Sequence, residues 1–494
     1  MCLKFPEKAL LAFIITIPEL WTDRLMNSKF LPSLLFSFLF ISSSYALDGD
    51  MYDFFLPNGL KVIMMEKHAA PKVAVMLGYN VGSHDEVEGQ KGITNLIKEI
   101  TNKGTSKYPK VKVDKIKEEL QAKYDNAVGP DKTYFITEIP IENIEFALDL
   151  ESDRMQNIIV SEETLSNSKI KIKTKYRSWR NDNPIDAAFT DALLGMFPEG
   201  HPYKTSPWGI MEQVDTLSIH TCQHYYNTYF SPNNAALIIV GNIIPEDLTK
   251  LIYQYFSSLT PTQNIPPDPD LSMNNIPDKV IQGNSDSVGE EIYFSFIGVN
   301  FFTPSSRHDD VIILEYFSDI VQRDAHLPGD ISKKFTKNNR LGFGLKTWTL
   351  DGLGTSQVIM VTMNVFRDGS LNKIPKNYLK TLEFIGENGI DDKVLNQHKK
   401  YKLLESYEDE YNYSHIAKQL ANAELINGDY RAYNRNIELL KNLSNEDIKR
   451  VVNKYLISDN MIVFHLTVNE KSWYTPIVSF IANQIILRFW NPGN

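Results

Sequence analysis

The feature that most constrains this chain is an internal repeat. Under a shift of 226 residues, Leu217 falls on Leu443, Ser218 on Ser444, Asn227 on Asn453, Tyr229 on Tyr455 and Asn234 on Asn460. Each copy reads as a Ser-capped helix, a short Asn-bearing turn and an apolar strand, A-L-I-I-V in one and M-I-V-F-H-L in the other. The copies close two successive halves, on either side of a Pro-, Asn- and Asp-rich stretch with no apolar period. Strands and helices mix without strict alternation, which predicts an α+β protein of two homologous domains. We place a leader at 1–46, an N-terminal domain at 47–260, a linker at 261–279, a C-terminal domain at 280–470 and an apolar tail at 471–494.

The first fifty residues stand apart from the rest. Met26-Asn27-Ser28-Lys29 opens a signal-like segment, the run at 31–41 is apolar, and Ser44 and Ala46 supply the small residues of a cleavage site. The expected mature protein begins near Leu47. A membrane anchor fits less well, because the run is short and Pro32 interrupts it. Cys2 leaves with the leader, so Cys222 has no internal disulfide partner. With 43% hydrophobic and 23% charged residues the chain has the balance of a globular protein. Its net charge of -10 argues against a nucleic-acid partner, which needs concentrated Lys and Arg.

The stretch 82–105 carries the most chemistry. It reads as a strand end, a polar loop and a helix between Gly92 and Gly104, whose buried face is Ile93, Leu96, Ile97 and Ile100. Its frame, G-S-H-D-E, then G-I-T-N-L-I-K-E and G-T, resembles the active-site helix of the insulinase/pitrilysin family, the inverted zincins. Other blocks follow in the family's order: L-P-N-G-L-K-V at 56–62, Asn126-Ala127 with Asp131, Asp153-Arg154-Met155, His201-Pro202-Tyr203, and Tyr225 through Ala235. The resemblance covers about residues 50–470. It implies a metallopeptidase half-clamshell, each domain a mostly antiparallel sheet packed with helices.

The same resemblance places the family's zinc chemistry on residues that cannot perform it. The two His ligands fall on Asn95 and Glu99, and the general base falls on Lys98. The distal Glu falls on Thr174, Lys175 or Tyr176, in a basic helix ending before Asp182-Asn183-Pro184. An ammonium cannot act as a base, and an amide is a poor zinc ligand. No catalytic residue, no metal and no cofactor is expected, and a Glu99–Lys175 ion pair is the expected substitute for zinc. In the second domain the family's substrate-binding Arg and Tyr fall on Thr336 and Phe343, which lack the cation and the hydroxyl. Lys337 and Arg340 are the nearby substitutes.

The resulting expectation is an exported, bacterial periplasmic, non-catalytic subunit. The family's chamber has four such domains and this chain supplies two, so the partner is a zinc-bearing homologue or a second copy. Asn126 and Ala127, on an edge strand, are placed to take an extended peptide. Two rivals remain open: an active zinc endopeptidase with rearranged ligands, and a stand-alone peptide-binding or scaffold protein. His220 and His224 lie one helical turn apart but flank Gln223, which cannot serve as a base, so we read them as surface residues. No Gly-rich phosphate loop, nucleophile elbow or basic aromatic stripe is present.

Overall fold

In the first half, the Pro57-Asn58-Gly59 turn joins β1 (Met51–Phe55) to β2 (Lys61–Glu66), as its sequence predicts. There follow β3 (Lys72–Tyr79), α1 (Ile93–Thr101), α2 (Lys110–Glu119), β4 (Lys123–Val128), β5 (Thr133–Pro140) and α3 (Ile144–Gln156). Ser161 accepts a hydrogen bond from Thr164 N at 3.2 Å and opens α4 (Glu162–Asp182). Pro184 ends that helix and starts α5 (Pro184–Leu194). The half closes with α6 (Met211–Thr216), α7 (Ile219–Tyr229), β6 (Ala235–Gly241) and α8 (Pro245–Phe256).

The second half runs β7 (Val280–Asn284), β8 (Ser295–Thr303), α9 (Asp309–Asp324), β9 (Phe343–Leu350) and β10 (Ser356–Asn364). It continues through α10 (Lys373–Asn388), α11 (Asp392–Glu408), α12 (Tyr413–Leu425), α13 (Ala432–Asn442) and α14 (Asn445–Tyr455) to β11 (Met461–Thr467). These elements come from a computed structural model that describes residues 50–273, 280–284, 295–324, 334–335, 343–350, 352–364, 373–408 and 411–467. The leader, the tail from residue 471 and position 336 lie outside them.

The two sheets share one topology. Strand order is β1-β2-β6-β3-β5-β4 in the first and β7-β11-β8-β10-β9 in the second. In each, one parallel pair (β2 with β6, β7 with β11) borders an antiparallel run. The repeat is kept in register: α7 and α14 are both 11 residues, β6 and β11 both seven, at the shift read from the sequence. Local chemistry holds that register. Ser218 and Ser444 cap the helices, while Asn234 and Asn460 donate side-chain N–H bonds to Tyr229 O (2.9 Å) and Tyr455 O (3.1 Å).

Each half covers the other's sheet. One face of the first sheet packs on its own helices through Leu77, Ile93, Leu96, Leu148 and Leu237. The opposite face, with Ile63, Met65, Met76 and Ile238, is covered by Tyr413, Ile416, Ala417 and Leu420 of α12 from the second half. The second sheet is covered in return: Ala188, Phe189 and Ala192 of α5 pack on Phe296, Ile359, Ile462 and Phe464. Fully burying a large apolar side chain contributes about 1.5–3 kcal/mol, so these crossings bind the halves firmly. Tyr413 adds polar anchors, its hydroxyl donating to Lys67 O at 3.0 Å and accepting from Ala70 N at 2.9 Å. The described residues of the two halves accordingly form one compact unit.

Candidate functional site

The loop before α1 fixes that helix from its N-terminus. Gly92 takes φ 104°, and a Cβ there would stand 2.6 Å from Val214 Cγ2 and 3.2 Å from Gly209 Cα. Glu86 turns back over the helix end, accepting from Gly92 N at 2.6 Å and Thr94 N at 3.0 Å. Burial pushes its carboxyl up to about 7 against the pull of these bonds. Thr94 Oγ1 bonds Gly82 O at 3.2 Å and meets Tyr225 OH at 2.7 Å. The four apolar residues of α1 are fully buried. Its polar face is therefore held at a fixed angle.

On that face Glu99 is 1% exposed and enclosed by ammonium groups. Lys175 Nζ lies 2.6 Å from Oε1, Lys171 Nζ 2.6 Å from Oε2, and Lys98 Nζ 3.6 Å from Oε1. Burial alone would raise the Glu99 carboxyl, but Lys171, Lys175 and Lys98 hold it below the usual carboxylate range. Burial lowers the Lys98 ammonium, opposed by Glu99 and reinforced by Lys175. Asn95, one turn earlier, is buried. The expected Glu99–Lys175 pair is present. Of the three distal candidates only Lys175 reaches it: Thr174 Oγ1 donates to Ile170 O, and Tyr176 packs with Trp179 and Trp208. Sequence reading missed Lys171, although its place four residues before Lys175 puts it on the same helix face.

A second polar cluster lies at the loop's base. His84 Nδ1 meets Pro130 O at 2.9 Å and Asp131 Oδ1 at 3.1 Å, and Nε2 faces Asp85 Oδ1 at 3.2 Å. Burial would lower this imidazole, yet Asp131 and Asp85 push it up to about 10. Tyr203 OH donates to Asp131 Oδ1 at 2.6 Å and accepts from Gly354 N at 3.3 Å, while Leu353 N donates to Asp131 Oδ2 at 3.4 Å. The cluster thus ties the first half to a loop of the second. His84 sits inside the quoted G-S-H-D-E stretch, but nothing local marks it, because its partners are distant in sequence.

Comparison with known proteins now decides the family. A model described as Insulinase (Peptidase family M16) matches residues 61–203, and one described as Peptidase M16 inactive domain matches residues 217–402. The chain belongs to the insulinase family, M16. It is 21% identical over 271 residues to the zinc protease PqqE of Helicobacter pylori, covering 53% of this chain and 59% of that one. The chain spans about half the length of the curated relatives it matches. Among solved structures, a protease from Helicobacter pylori superimposes with TM-score 0.74 at 19% identity, over 85% of this chain and 100% of that one. The periplasmic protease PqqL from Escherichia coli does so with TM-score 0.67 at 14% identity, over 88% of this chain and 50% of that one. These likenesses show the M16 fold.

The residues that the sequence resemblance sets at the zinc positions do not fit the metal. Asn95 offers a weak amide oxygen, Lys175 has no lone pair as an ammonium, and both Glu99 oxygens already face ammonium groups. A zinc ion at these positions would find neither its ligand set nor a general base. The other expected positions divide. Asn126 and Ala127 lie on β4, the edge strand of the first sheet. Asn126 exchanges amide bonds with Asn102 at the end of α1, at 3.2 and 3.3 Å, so the edge is tied to the site helix. Phe343 opens β9, the edge strand of the second sheet, and Thr336 lies outside the described residues. His220 and His224 are exposed on α7. Cys222 is a free, buried cysteine. Among the described residues no helix is long and apolar enough to cross a membrane.

Proposed function

We propose that this M16 chain is an exported, non-catalytic subunit that pairs with a zinc-bearing homologue, or a second copy, in peptide or protein degradation. The observation that carries this reading is the Glu99 cluster. Where the family holds a dication with histidines and a carboxylate, this chain sets three ammonium groups around one buried carboxylate. That arrangement conserves local positive charge and shape while offering no metal-bound water and no base. The retained fold gives the chain its work: it forms one half of a chamber wall, and β4 offers an edge for an extended peptide. The signal-like segment at 26–46, together with the periplasmic location of PqqL, supports export.

The test is a peptidase assay on the purified chain alone, on the zinc-bearing homologue alone, and on their mixture. The reading expects cleavage to rise in the mixture and to be absent from this chain. Cleavage by this chain alone, abolished by Glu99→Ala together with its bound zinc, overturns it in favour of an active enzyme with rearranged ligands.

A further inference from the structure

Away from Glu99, three donors converge on one point. A ring nitrogen of His84, a carboxylate oxygen of Asp85 and one of Asp268 all lie within 4.8 Å of one another. They belong to two distant segments, the loop before α1 and the linker. His84 is 4% exposed, and its Nε2 has no hydrogen-bond partner: Asp85 Oδ1 is 3.2 Å away but off the line of a bond. The opposite ring nitrogen is fixed on Pro130 O and Asp131, and Asp131 is itself held by Tyr203 and Leu353. A histidine with one nitrogen anchored on a carboxylate, and the other facing a second carboxylate without a well-aligned bond, is oriented as metal-binding histidines are. An ion entering at Nε2 must displace the proton that Asp131 and Asp85 favour on the ring.

We propose that His84, Asp85 and Asp268 bind a divalent transition-metal ion of the zinc class, distinct from the inherited zinc position. One imidazole with two carboxylates suits zinc or manganese better than calcium or magnesium, which prefer all-oxygen shells. Ligand distances of about 2.0–2.2 Å require the donors to draw together slightly. Asp268 is exposed on the linker and is free of regular structure, so it supplies that movement. The bound ion fastens the linker to the loop whose next residue, Glu86, caps α1. The site stands whether or not the chain works as a subunit.

Titration of the metal-stripped full-length chain with zinc, followed by calorimetry, tests the site. One equivalent is expected in the unaltered chain, weakened at least tenfold by Asp268→Asn and by His84→Ala and unchanged by Glu99→Ala. Zinc should also raise the thermal midpoint of the unaltered chain and leave that of Asp268→Asn unmoved. Asp268 is exposed, so its variant reports on the metal without disturbing the core. Absence of binding, or binding that survives Asp268→Asn, overturns the proposal. Zinc lost on Glu99→Ala instead places the metal at the inherited position and overturns the subunit reading as well.

Discussion

Lys175 Nζ stands 2.6 Å from Glu99 Oε1, joining α4 to α1 across 76 positions of sequence. The two residues pin the site helix to α4 through a single carboxylate. Lys171 shares the load, so the carboxylate is the unique member of the cluster and each lysine is one of three.

Loss of the carboxylate should therefore cost more than loss of any lysine. Glu99→Gln leaves mutually repelling ammonium groups, one of them on the largely buried Lys98, and is expected to destabilise by about 2–4 kcal/mol. Lys175→Met, with Lys171 still in place, is expected to cost about 1 kcal/mol or less, since that ammonium is half exposed. Urea denaturation of both variants gives the order; equal effects would contradict the cluster's asymmetry.

The same carboxylate sets a pH response. Its folded-state pKa is lowered from the ordinary 4.5, so its stabilisation is present above that value and is lost as pH falls through the folded value. Denaturation midpoints should decline on acidification below about pH 4.5, and Glu99→Gln should show a shallower decline there.

Rebuilding the inherited site should restore metal binding. Asn95→His, Lys98→Glu, Glu99→His and Lys175→Glu together supply two imidazoles, a base and a distal carboxylate on helices already in place. Zinc titration should show one equivalent beyond that of the parent chain. Leaving Lys175 unchanged should abolish this added equivalent.

Gly92 and Gly89 offer a matched comparison. Both have positive φ, 104° and 84°, but a Cβ at Gly89 meets nothing within 4 Å, whereas one at Gly92 collides with Val214. Gly89→Ala should cost about 1 kcal/mol from backbone strain alone. Gly92→Ala should cost clearly more, about 2–4 kcal/mol, because α1 must shift. Thermal midpoints of the two variants decide it.

Exchange of helices between the halves predicts cooperative unfolding. Leu420→Ala, in the second half, removes a side chain buried against the first sheet and should cost about 2–5 kcal/mol. Circular dichroism and tryptophan fluorescence should report one coincident transition in both proteins. Two separated transitions would show that the halves are independent.

The sequence disclosed whatever local chemistry controls. Ser161, Ser218 and Ser444 announce helix starts, and the Asn234 and Asn460 staples keep the two copies in one register. The Glu99–Lys175 pair was legible because the resemblance put both positions in one site. Helix exchange was not, because the apolar stripe of α12 states that it must be buried without stating against which sheet. His84, Asp131, Tyr203 and Asp268 escaped as a set for the same reason: four stretches of chain meet there, and none contains the set. Leu271, within the linker, is buried in a cluster that draws on both halves.

The crossing of α12 onto the first sheet also sets an order of events at the ribosome. The outer face of that sheet, Ile63, Met65, Met76 and Ile238, is complete once β6 has emerged, yet its cover is made only with residues 413–425. During the interval a nascent chain presents a finished but uncovered apolar surface. Under the proposed export this delay is useful, since a half-made molecule cannot lock itself shut before transport. It would equally need a chaperone to shield that face until the second half arrives.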